Sequence, residues 1–177
     1  RHMIPGVGPP DRPHFDVAGE VLRIRLERAI EAAGIAGAGN VNTRVVHTSR
    51  FGVPGSVNVE VVTAEANLPA VQALIDTAVR TLGSDDMTEE DLSLAKKRLR
   101  TGWYRTLRNA DQLAFEIGHF QTMDSWRTLV PYMESRETTN AADLRRLSAE
   151  NFVPENRAWG FVRPKTVTPP ISQEDDR

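Results

Sequence analysis

The chain has 177 residues, 40% of them apolar and 26% charged, with a net charge of -2 and no cysteine. This length suffices for one domain with a real core, and the charge balance gives neither nucleic acid nor an anionic membrane a global attraction. Disulfides and thiol chemistry are excluded, and no apolar run approaches the roughly 20 residues that span a bilayer.

Residues 1–13 are rich in Pro and Gly and read as a short strand followed by a loop. Arg1-His2-Met3 fits either a cloning scar or the start of a native strand. No secretory signal is visible there, and a fragment or mature form would show none. From Phe15 to Ala33 the pattern is helical. Val17, Val21, Leu22, Ile24, Leu26, Ala29 and Ile30 give a broad apolar face, with Asp16 as the expected N-cap and Gly34 as the stop. The glycines of 34–40 break regular structure. They follow no strand and form no phosphate-loop motif.

Residues 41–51 favour a strand, Gly52-Val53-Pro54-Gly55 a turn, and 56–63 a strand with Val57, Val59 and Val61 on one face. The short connection predicts an antiparallel hairpin. Asn67 is placed to cap a helix running to Leu82. Thr88 and Asp91 resemble a capping box opening a helix from Glu89 to about Arg108. Further helices are expected over about 111–122, opened by Asn109-Ala110-Asp111, near 124–134 with Pro131 close to its end, and from Asn140 onward, where Asp143 completes the start signal. Residues 157–162 read as a last strand, and the polar tail 165–177 as disordered. The order predicts an α+β two-layer sandwich, a mostly antiparallel sheet with helices on one face, as a single domain over 1–164.

Three stretches carry a family resemblance. Thr88, Glu89, Glu90, Leu92, Ala95 and Lys96, followed by Leu113 and Ala114, are similar to the helix pair of pitrilysin-type (insulinase-like) zinc peptidases. Thr139, Asp143, Leu144, Phe152, Pro154, Glu155, Asn156, Arg157 and Pro164 match that family's closing helix, turn and strand in order. Leu22, Arg25 and Leu26 resemble its "L-x-x-R-L" helix. The likeness covers about residues 7–164 and implies the metallopeptidase (LuxS/MPP-like) sandwich.

The family's active unit carries H-x-x-E-H, two zinc ligands four apart on one helical face with a general base between them. The four histidines here, His2, His14, His47 and His119, open no such motif. The expectation is therefore no catalytic, metal or substrate-binding residue in this chain, and zinc only in a partner unit. The resemblance also implies an Arg/Tyr substrate-contacting pair. In the aligned stretch AIEAAGIAGAGN, Glu31 falls near the Arg position and small residues take the Tyr position.

The implied role is a non-catalytic domain that packs on a zinc-bearing peptidase domain or subunit and closes the chamber around a peptide substrate. The alternative is a degenerate scaffold or assembly module of the same fold. A homo-oligomer is possible under either reading, and a periplasmic or envelope location is the lean, with the cytoplasm open.

Other features have plainer readings. Glu116 and His119 have E-x-x-H spacing, but a di-iron bundle needs a second such motif and further Glu-bearing helices. His47 reads as structural or exposed. Lys96, Lys97, Arg98, Arg100, Arg105 and Arg108 follow Glu89, Glu90 and Asp91 and read as a solvated helix face, not a nucleic-acid site. Trp103, Trp126 and Trp159 are expected in the core or at its rim.

Overall fold

The computed structural model describes residues 1–4, 10–35, 41–46, 54–84 and 87–163. Three strands, β1 (His2–Ile4), β2 (Val41–Val46) and β3 (Gly55–Val61), form an antiparallel sheet in the order β1-β3-β2. Six helices accompany them: α1 (Arg12–Ala32), α2 (Leu68–Arg80), α3 (Glu89–Leu107), α4 (Ala110–Met123), α5 (Leu129–Thr138) and α6 (Ala141–Asn151). The architecture is α+β, with the expected hairpin present: Val41 pairs with Val61 and Val46 with Ser56.

α1 is the centre of the packing. Phe15, Val17, Ala18, Val21, Leu22, Ile24 and Leu26 are all buried, because α1 meets β2, β3, α2, α3, α5 and α6. An apolar arc this broad needs cover on several sides. Gly19 allows α1 to lie close on β2: a Cβ there would lie 3.1 Å from Val45 Cγ2. Gly34 ends the helix region with φ 60°, as its stop role requires. The main core continues through Val57, Leu82, Leu92, Ala95, Leu144, Leu147 and Phe152. A second cluster gathers Phe120, Met123 and Leu129, with Trp103, Tyr132 and Met133 against it.

Several helix starts follow the sequence signals. Thr88 accepts a hydrogen bond from the Asp91 N–H at 3.1 Å, and Asn109 from Gln112 at 3.0 Å. Asn140 and Asp143 form a reciprocal capping box at α6.

Three expectations need correction. Asp16 is no N-cap: α1 starts earlier, at Arg12, with Asp11 as its cap residue. Pro13 in the first turn supplies a preset φ where no intrahelical N–H bond is lost, and Asp16 becomes an interior position. Pro131 does not end the fifth helix but sits in the first turn of α5, where its missing N–H costs nothing. The segment 157–162 is not a strand. Arg157 bridges His2 and Ala158 meets Arg1, but no strand is formed beyond them. Strand composition makes no ladder without an adjacent backbone. Residues 36–40, residues 47–53 with His47 and the end of the expected strand 41–51, Pro164 and the expected disordered tail 165–177 lie outside the described residues.

Candidate functional site

α1, α3, α4 and α5 enclose a cavity of about 330 Å³ whose wall carries both buried charge and aromatic rings. α1 brings Arg12, Asp16 and Glu20 to it at helical spacing, so all three share a face. From α5 come Tyr132 and Arg136, spaced likewise at four residues.

Asp16 organises this group. Its Oδ2 accepts from the Tyr132 hydroxyl at 2.7 Å and from Arg136 Nε at 2.8 Å, and Arg136 Nη2 also pairs with it. The Arg136 guanidinium lies 4.9 Å from the Tyr132 ring centroid, and that of Arg12 lies 5.5 Å from it. Arg12 is buried, with Nη2 3.1 Å from Met123 Sδ and its Nε buried without a partner. Burial first, and then the Asp16 carboxylate, push the Tyr132 phenol well above its ordinary range. It therefore stays an O–H donor at neutral pH and is no base.

Beside this group, Glu20 takes Arg23 at 2.6 Å and Arg98 at 3.5 Å, and Arg98 also reaches Glu27 at 2.8 Å. Part of the basic run on α3 is thus spent on acidic partners, Arg100 on Glu137 included. The arrangement locks three helices electrostatically and presents no activated nucleophile.

The histidines are dispersed. His14 Nδ1 lies 2.7 Å from Thr139 Oγ1. His119 lines the cavity with Glu116 and stacks on Phe115, 6.2 Å between centroids. His2 packs on Phe152 at 5.2 Å. Among the described residues, no group of three or more His, Asp or Glu is placed to hold a metal ion. Glu31 is exposed at the end of α1, and residues 36–40, where the family's Tyr position falls, are outside the described residues. Trp103 lies against the second cluster, whereas Trp126 is 47% exposed beneath Arg127. None of the described helices is long and apolar enough to cross a membrane.

His2 makes one pH prediction. Burial, then the terminal ammonium and Arg157, lower its pKa from 6.5 to about 4. The unfolded chain then binds the proton before the folded one does, so stability is full above pH 6.5 and falls as pH drops toward 4. Denaturant midpoints measured across this window should decline for the wild type and flatten for His2→Asn.

The Asp16 group escaped sequence reasoning for a simple reason. Its α5 members stand 116 and 120 residues from Asp16, and no local pattern encodes such a meeting.

No family model and no curated protein matches the sequence. Solved structures do match the fold. The inactive peptidase domain of a protein designated a zinc protease, from Bordetella parapertussis, superposes with a TM-score of 0.73 at 17% identity, covering 90% of this chain and 87% of that one. A protein with the same designation from Bordetella pertussis gives 0.71 at 17% identity, covering 89% and 87%. The periplasmic protease PqqL of Escherichia coli gives 0.61 at 12% identity, where 85% of this chain spans 17% of that protein. The chain therefore has the fold seen in these protease structures, an inactive peptidase domain included.

Proposed function

We propose that this chain is a non-catalytic domain of a pitrilysin-type zinc metallopeptidase, built as a two-layer sandwich. It packs on a zinc-bearing unit and closes the chamber around a peptide substrate. The observation that carries this reading is the likeness to an inactive peptidase domain over nine-tenths of the chain, joined to a sequence without H-x-x-E-H. The large share of PqqL left unmatched supports a domain that works beside others, and its compartment supports a periplasmic or envelope location. Zinc in this reading belongs to the partner unit.

Metal analysis and a peptidase assay test it. The purified chain should hold no stoichiometric zinc and cleave no peptide, and activity should appear only with a partner carrying H-x-x-E-H. One tightly bound zinc per chain would sink the proposal.

The second reading, a scaffold of the same fold, is favoured by Glu31 standing exposed near the position of the expected Arg. The neighbouring reading frames decide between them. An H-x-x-E-H unit there supports the peptidase role, and its absence supports the scaffold.

A further inference from the structure

Arg12 carries a full positive charge at 9% exposure, yet among the described residues no carboxylate pairs with it. Its Nη2 has only the Met123 sulfur, at 3.1 Å, its guanidinium stands over the Tyr132 ring, and its Nε is buried without a partner. The other arginines lining the same cavity each have a counter-ion: Arg23 has Glu20, Arg98 has Glu27 and Arg136 has Asp16. Neither residues 5–9, which lead into α1, nor residues 47–53, which follow β2, contain an Asp or Glu. A buried guanidinium without a counter-ion is costly. A water molecule would satisfy its Nε but not its charge.

The cavity that Arg12 lines suits an apolar body. Trp103, Phe120, Met123, Tyr132 and Met133 of the second cluster all line it, and Phe120 meets the Tyr132 ring edge to face at 5.2 Å. At about 330 Å³ the space is that of a small organic molecule and exceeds the needs of a lone ion. Gly102 of α3 lines it as well, and a Cβ built there would meet nothing within 4 Å. Glycine inside a helix is unfavourable, and here its missing side chain leaves that wall open. Glu116 lines the cavity from α4. It stands two helical turns, about 10 Å, before the Met123 position that Arg12 touches.

We infer that this cavity binds a small aromatic or aliphatic carboxylate, with its carboxylate on Arg12 and its apolar body against Phe120, Met133 and Trp103. A monoanion supplies the counter-charge that Arg12 lacks, and the rings and thioethers cover the rest. A polyanion is disfavoured, because the other guanidinium groups lining the cavity are already engaged. Neither a zinc-bearing partner nor a peptide substrate enters into this assignment.

Phenylacetate is the probe, with 2-phenylethanol as its uncharged counterpart. Each is titrated into the purified chain and followed by amide and side-chain NMR shifts. Phenylacetate should shift the signals of Phe120, Met123 and Met133, and should bind roughly tenfold or more tighter than the alcohol, the worth of one charged hydrogen bond. Arg12→Met should erase that preference, so that acid and alcohol bind alike. Gly102→Leu fills the cavity and leaves Arg12 in place, and it should weaken both probes. Equal binding of acid and alcohol by the wild type overturns the inference. So does a failure of phenylacetate to move these signals at millimolar concentration. Undiminished binding in Gly102→Leu would put the ligand elsewhere on the surface and is equally fatal. Chloride or inorganic phosphate that reproduces the same shifts at equal concentration would reduce the site to a plain anion site and overturns the carboxylate assignment as well.

Discussion

Asp91→Ala should lower the stability of the fold by about 3 kcal/mol, read as a shift of the denaturant midpoint at constant m-value. Asp91 is 6% exposed at the start of α3, where a carboxylate already suits the helix dipole. Its Oδ2 lies 3.0 Å from Arg25 Nε and its Oδ1 2.5 Å from Arg28 Nη1. Arg25 itself is 13% exposed and also donates to the Thr81 carbonyl at 2.8 Å. One carboxylate thus ties α1 to α3 while a carbonyl ties α1 to the end of α2. Removing the carboxylate takes a short ionic partner from the largely buried Arg25 guanidinium in a low-dielectric site, which costs more than the pair contributed. Arg28 is half exposed and recovers water, so the loss falls near the lower end of the range for buried pairs. The double substitution Arg25→Met with Asp91→Leu should be less destabilising than either single change. A double-mutant cycle that shows simple additivity would count against the coupling.

The same residue shows what sequence can and cannot disclose. Thr88 and Asp91 mark a helix start by spacing alone, and α3 begins there. The arginine partners of Asp91, however, lie 66 and 63 residues away, and nothing local names them. Caps, turns and periodicity are short-range signals, so Asn109, Asn140, Gly34 and the alternation of β3 were readable. Asp16 and the 157–162 segment were misread for the complementary reason. Asp16 has the chemistry of a cap, but Pro13 had already started the helix. Residues 157–162 have the composition of a strand, but a strand exists only where a neighbour offers a ladder.

Several of the residues that carry the family resemblance join elements. Leu22, Leu26 and Leu144 are buried in the main core. Arg25 meets Asp91, Asn156 reaches the Asn151 carbonyl at 3.4 Å, and Arg157 pairs with Asp76 of α2. Each such role concerns packing and would be needed whether or not a metal site existed elsewhere. That is the physical sense in which the sequence speaks more clearly about fold than about chemistry.

Asp16→Ala should be costlier still, about 3–4 kcal/mol, and should loosen α5 from α1. Tyr132 and Arg136 of α5 both converge on its Oδ2. Arg12 stands over the same ring, and its buried Nε has no partner. The carboxylate is thus a negative charge set beside the buried Arg12 and the partly buried Arg136 guanidinium groups, and its loss leaves both cations poorly compensated together. Tyr132→Phe, by contrast, deletes the hydrogen bond of the phenol to Asp16 while leaving the charges in place, and should cost about 1.5–3 kcal/mol at most. An ultraviolet titration separates this network from mere packing. Burial and Asp16 together hold the Tyr132 phenol protonated far into the alkaline range. Removing Asp16 deletes the second of these causes and leaves two guanidinium groups that favour phenolate, so tyrosinate absorbance should appear at lower pH. An Asp16→Ala variant that keeps both its stability and its tyrosine titration unchanged would show that α5 is held by its apolar contacts alone. Loss of both would place the grip of α5 on α1 in this single carboxylate.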